Sequence, residues 1–175
     1  MSVKIELYNL VKAAVEGILT DDPEPVRVIK TFGHFNNQFN TEAEEQPFNN
    51  PAVFFQFTEM PWQPSQHSSF NAQGTQQQES ESLQFTLHIS YWSHNPEEDK
   101  FLSLLDVVDK VYRALANIES DTINPLQRIN DEDDPDHTEP MVWQTTFSTM
   151  VVEKGIENNK TGVSPVNVNV QTGNV

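Results

Sequence analysis

Cysteine is absent from this 175-residue chain. That removes disulfide staples, thiolate zinc sites and cysteine nucleophiles together. Glycine is scarce, at six residues, and none builds a Gly-rich phosphate loop. Basic residues are also few: ten Lys and Arg stand against 26 Asp and Glu, a formal net charge of −16. Nucleic-acid binding relies on Lys and Arg displacing counterions from phosphates, so sequence-specific DNA recognition is not expected. A surface that lets DNA pass without holding it suits this sign of charge. Long apolar runs are missing too. MSVKIELYNLVKAAVEGIL is interrupted by Glu6 and Glu16 and is followed by no small-residue cleavage site, so it does not read as a secretory signal. No stretch is long enough to span a bilayer. A soluble protein made in the cytoplasm, with no membrane partner, is expected.

What is present reads as one domain of residues 1–153, followed by a low-complexity tail, 154–175. Val3, Leu7, Leu10, Val11, Ala14 and Ile18 recur at helical spacing, and Asp21-Asp22-Pro23 is expected to close that helix. A short strand is expected over Val26–Phe32. Strong period-two strands are expected in PAVFFQFTEM (51–60), LQFTLHISYW (83–92) and MVWQTTFSTMVVE (141–153). In SHNPEEDKFLSLLDVVDKVYRALANI, Asn95 is placed to cap a helix with Pro96 in its first position. Phe101, Leu104, Leu105, Val108, Val111, Tyr112 and Leu115 form its apolar stripe. Three polar stretches, 33–50, 61–82 and 124–140, read as long loops, with Phe35, Phe39 and Phe48 pinning the first to the body or to a neighbour. The 61–82 stretch is a flexible loop or a hairpin that orders against a partner. The tail, with Val166, Val168 and Val170 alternating with asparagines, is free or adds a strand to a neighbouring subunit. The expected class is α+β: a small antiparallel sheet with two helices on one face.

The chemistry-bearing residues form no site. DEDDPDHTE (131–139) has Pro135 where a calcium loop needs flexibility and lacks both its glycine and its closing Glu, so a solvated acidic loop is the reading, with cation binding left open. The histidines 34, 67, 88, 94 and 137 show no zinc-ligand spacing, and no nucleophile motif occurs. No catalytic residue, metal or cofactor is expected, and the chain is not read as an enzyme. The outward aromatics say more. Phe54, Trp92 and Trp143, the loop around Phe70, and His88 on the polar face of LQFTLHISYW are the expected interface residues, because aromatics are enriched where subunits meet. A fully packed tryptophan within the monomer is the competing reading for Trp92 and Trp143. His88 and Trp92 are expected to face a neighbouring subunit or a ring channel.

The succession of IELYNLVKAAVEGIL, PAVFFQFTEM, LQFTLHISYW, FLSLLDVVDKVYRALANI and MVWQTTFSTMVVE resembles the tail terminator (tail-completion) proteins of long-tailed bacteriophages and the related head–tail joining proteins. LHISYWSHNPEED stands at the strand-to-helix junction, and the likeness in layout covers residues 3–153. The resemblance implies a structural virion protein, assembled in the host cytoplasm as a homo-oligomeric ring, typically a hexamer. Such a ring caps the tail tube and joins it to the head–tail connector, and DNA passes through it without specific binding. It implies no catalytic residues. The long loops, acidic run and C-terminal extension depart from small members of that group. Another phage neck, tail-tube or contractile-injection component, or a non-viral adaptor, therefore remains open.

Overall fold

The computed structural model describes residues 2–40, 48–59, 61, 63–64, 78–138 and 140–153. Helix α1 (Val3–Glu16) forms because Val3, Leu7, Val11 and Val15 fall on one stripe, and all four are buried. It stops at Gly17, whose N–H donates to Ala13 O, and a Cβ there would meet that carbonyl at 3.1 Å. Closure therefore comes earlier than Asp21-Asp22-Pro23. Those residues instead form the tip of a narrow hairpin, held by Thr20 N–H to Val26 O and Val28 N–H to Ile18 O, both 2.9 Å.

The hairpin consumes the first part of the strand expected at Val26–Phe32. Pairing begins only at Lys30 N–H to Pro51 O (2.8 Å), and strand β1 runs Thr31–His34. It lies parallel to β2 (Ala52–Glu59), from Thr31 opposite Ala52 to His34 opposite Phe55. The sheet is therefore mixed, not purely antiparallel as the sequence suggested. Parallel neighbours need a crossover, and its described residues, 35–40 and 48–50, bring aromatics onto the outer face of the sheet.

The other strands are antiparallel. β4 (Gln78–Tyr91) pairs with β2 on one side and with β6 (Met141–Glu153) on the other, while the two-residue β3 (Gln63–Pro64) meets the start of β4. Part of the expected loop 61–82 is thus strand. The expected loop 124–140 is corrected more strongly: Gln127–Thr138 is strand β5, paired with β6. Its hydrogen bonds are made by backbone, which an acidic sequence supplies as well as an apolar one once β6 is there to accept them. The order across the sheet is β1-β2-β4-β6-β5.

Helix α2 (Lys100–Leu115) starts one turn later than Asn95 suggested. Asn95 Oδ1 accepts from Glu97 N–H two residues on, an Asx-type turn, and Asp99 becomes the N-cap, accepting from Leu102 N–H at 3.1 Å. A cap of this kind contributes about 1 kcal/mol. Leu104, Val107, Val108, Val111 and Leu115 face the sheet.

Both helices lie on one face of the sheet, as the sequence predicted. The apolar side of LQFTLHISYW (Leu83, Phe85, Leu87 and Ile89) lies at most 1 % exposed in the core they cover. At its centre the rings of Phe55, Phe85 and Phe147 lie in one row across three strands. Centroids are 4.8 and 5.4 Å apart and planes within 14° and 17°. Tyr8 of α1 meets the edge of Phe55 at 5.5 Å. The first turn of α1 is tied down by charge-assisted bonds, Ser120 Oγ (2.6 Å) and Thr122 Oγ1 (2.8 Å) donating to the Glu6 carboxylate.

Candidate assembly surface

Strand alternation puts Ala52, Phe54 and Gln56 of β2, Gln84, Thr86, His88 and Ser90 of β4, and Val142, Gln144, Thr146 and Ser148 of β6 on the face away from the helices. This face has two halves. Over β2 and the end of β4 the crossover from β1 brings down Phe35, Phe39 and Phe48. Phe39 and Phe48 meet Phe54 edge-on at 5.4 and 4.9 Å, and Phe39 meets Phe48 at 5.6 Å. Asn37, at φ 53°, turns the chain for this approach, a conformation that asparagine tolerates better than most residues.

This aromatic lid corrects two expectations. Phe54 is not an outward residue: it is 4 % exposed. His88 does not face a neighbour or a channel. It is 5 % exposed, with the Phe35 ring stacked on it at 3.7 Å and 6°, and its Nε2 shares a 2.8 Å hydrogen bond with Gln56 Oε1. Beside it, Ser90 Oγ donates to Asn50 Oδ1 at 2.7 Å. The polar letters of the strand pattern are polar because they hydrogen-bond under a lid, not because they meet water. The lid aromatics pin the crossover to the body of the domain.

The second half, over β4, β6 and β5, lies beyond the lid aromatics; its β4 and β6 side chains are half-buried, and Thr86 is 5 % exposed. It consists of rows of short polar side chains: Gln84 and Ser148; Thr86 and Thr146, joined through their hydroxyls at 2.9 Å; and Gln144, whose Nε2 donates to Asp134 Oδ2 at 3.1 Å. β5 closes this half as an edge strand. Being extended, it splays its carboxylates to alternate sides, Asp131 opposite Thr145, Glu132 opposite Gln144 and Asp133 opposite Trp143. Among the described residues no group of three or more His, Asp or Glu converges to hold a metal ion. The other edge of the sheet is β1.

The remaining expected interface residues are scattered. Trp143 is half-buried on the helix face, against the main core and 6.4 Å from the Phe101 ring, and its Nε1 is buried without a hydrogen-bond partner among the described residues. The competing reading, a tryptophan packed within its own chain, fits it. Trp92 lies half-buried just past the end of β4, its ring edge-on to His94 at 3.9 Å. Phe70 and the tail lie outside the described residues.

At the β4-to-α2 junction, the Glu98 carboxylate accepts from the hydroxyls of Tyr91 and Ser103, the latter at 2.6 Å. The hydroxyls of Ser103, Ser93 and Tyr91 stabilise its ionised form and lower its pKa from 4.5 to about 2. Tyr91 moves the other way: desolvation first, then its bond to Glu98, raise it above 10.0. The two have opposite linkage. The Glu98 contribution is present above pH 4.5 and is lost as pH falls through about 2, whereas that of Tyr91 is present below pH 10.0 and lost as pH rises through its raised value. Glu98→Gln is therefore expected to lower stability at neutral pH, with the gap from wild type narrowing once pH falls below about 4.5. Urea midpoints measured by circular dichroism down the pH series check this. A gap that stays constant into acid would remove Glu98 from the account.

Sequence reasoning singled out aromatics and passed over the cations. Arg27, Lys30 and Lys110 line one cleft beside β1. The available signal was their scarcity in so acidic a chain. Neither a scan against models of known protein families nor a search of curated proteins gives a match to this chain.

Proposed function

We propose that the chain is a structural assembly protein that forms a ring at the head-proximal end of a phage tail, ending the tail tube and joining it to the head connector. The observation that carries this reading is the sheet. Its helix face is sealed by α1 and α2, half of its outer face carries rows of polar side chains in place of an aromatic lid, and both its edges are open among the described residues. Open edges invite pairing with another chain unless something blocks them. A protein that repeats around an axis needs two different surfaces that fit each other, and the rotation between copies must close. The net charge of −16 supports the same reading, since a ring of such chains repels the DNA that slides through it.

The test is mass in solution by light scattering across a concentration series, followed by negative-stain imaging. The expected result is a discrete species of about six copies with a central hole, forming either alone or on addition of purified tail tubes. Unlimited filaments would indicate a tail-tube component. A monomer that also fails to bind tail tubes would remove the phage-tail reading and leave an adaptor domain.

A further inference from the structure

The cleft beside β1 is a cavity of about 540 Å³, walled by the first half of α2, the hairpin after α1, Pro51 and Tyr91. Its charged lining is Arg27, Lys30, Lys110 and Asp106. Asp106 already holds Lys110, at 2.6 Å, one turn away on the same helix. Arg27 and Lys30 are exposed and make no ion pair among the described residues. The lining is thus net positive in a chain that is strongly negative overall. It is not purely polar: Leu102, 61 % exposed, forms part of the wall with Val28, and Val26 beside Arg27 is 53 % exposed. Uncovered apolar side chains beside unpaired cations suit an acidic chain segment that also carries an apolar residue.

β5 offers that combination. Ile129 is 49 % exposed there, and Glu132 and Asp133 are exposed a few residues on. Asp131 is already engaged by Arg128 at 3.2 Å, and Asp134 by Gln144. The strand is the sheet edge opposite to β1. β5 is held in the sheet by its pairing along β6, so it does not fold over onto the cleft of its own chain. We propose that the Arg27–Lys30 cleft receives the acidic β5 edge of a second copy of this chain, Ile129 meeting Leu102 and Val28 while Glu132 and Asp133 meet Arg27 and Lys30. The contact is head to tail: each copy gives its β5 edge and receives at its cleft. The inference rests on the ring reading for its closure, and it adds which two surfaces carry the ring.

Two copies of charge −16 repel at long range. At physiological ionic strength the Debye length is about 8 Å, so that repulsion is screened while contact pairs survive. The experiment uses two full-length variants at that ionic strength: R27E/K30E, with a reversed cleft and a native edge, and E132K/D133K, with a native cleft and a reversed edge. All four positions are exposed, and circular dichroism verifies folding. Each variant alone is expected to be monomeric by light scattering, its dissociation constant raised roughly 100-fold or more by like charges in contact. Their equimolar mixture is expected to rebuild assemblies of wild-type size. The native edge of one copy meets the native cleft of the other, and the reversed edge meets the reversed cleft, so alternating copies carry complementary charge at every junction. The variant carrying all four reversals is expected to regain wild-type association.

Failure of either variant alone to lose association, or failure of their mixture to associate, overturns the proposal. The ring reading is scored separately on the wild type. A wild-type ring whose variants still close leaves that reading standing and sinks this contact. A mixed assembly alongside wild-type filaments upholds this contact and sinks the closed ring.

Discussion

Phe85→Ala is expected to lower the free energy of unfolding by about 3–5 kcal/mol, the range for deleting a buried phenylalanine whose site cannot collapse. Phe85 is fully buried between Phe55 and Phe147, and those rings are fixed to neighbouring strands by backbone hydrogen bonds. Neither strand can move inward to fill the space without breaking its ladder. Since single domains have total stabilities of about 5–15 kcal/mol, this one change is expected to leave the protein close to unfolding at physiological temperature. Urea denaturation followed by circular dichroism measures it. A loss under about 1 kcal/mol would mean that the three-ring row is not the centre of the core.

The second large effect is expected from Phe54→Ala, at about 3 kcal/mol, the lower end of the same range because the lid above it is partly open to solvent. Phe54 anchors Phe39 and Phe48, and with them the crossover that carries Phe35 onto His88. Its loss should release residues 35–40 and 48–50, so limited proteolysis should cut at those residues well before the variant unfolds globally. The measurement separates two roles. If Phe54 served only a subunit interface, the isolated chain would keep its stability and its protease resistance, and only assembly would suffer.

The helix-facing side of the fold was legible because its signal is written in side chains. Leu83, Phe85, Leu87 and Ile89 alternate strictly, α1 and α2 carry unbroken stripes, and β6 matches the strand read at Met141–Glu153. β5 was not legible for the opposite reason. Asp131, Glu132, Asp133 and Asp134 have low strand propensity, and an exposed edge needs no apolar pattern, so its backbone pairing to β6 leaves no trace in residue type. β1 was misplaced by a few residues because Val26, Val28 and Lys30 alternate with Arg27, Ile29 and Thr31 as a short strand would, whereas the hairpin claims the first of them. The outer face was misread through a sound rule applied to an incomplete set of neighbours. Alternation tells which residues share a side of a sheet, and it does not tell whether a loop lies over that side. Phe35, Phe39 and Phe48, spaced irregularly, carried that information in a form periodicity cannot detect. The cations of the cleft come from two segments, Arg27 and Lys30 on one and Lys110 on the other, and only the tertiary fold brings them together.

The hydrogen bonds from Ser120 and Thr122 to Glu6 join residues 114 and 116 positions apart. Strand β4 is likewise completed only by β6, sixty residues on at the Thr86–Thr146 pair. Such separations slow folding, because distant segments must meet before any contact rewards the closure of the chain between them. They also set an order during synthesis. At about 5–20 residues per second, the ribosome takes roughly 3–12 s to reach Phe147 after releasing Phe85. For that interval the strand LQFTLHISY lacks its last partner, and such segments are those by which nascent chains stick to one another. The excess of carboxylates acts here as well: chains still emerging from neighbouring ribosomes repel each other through those vulnerable seconds, before any ring exists to be built.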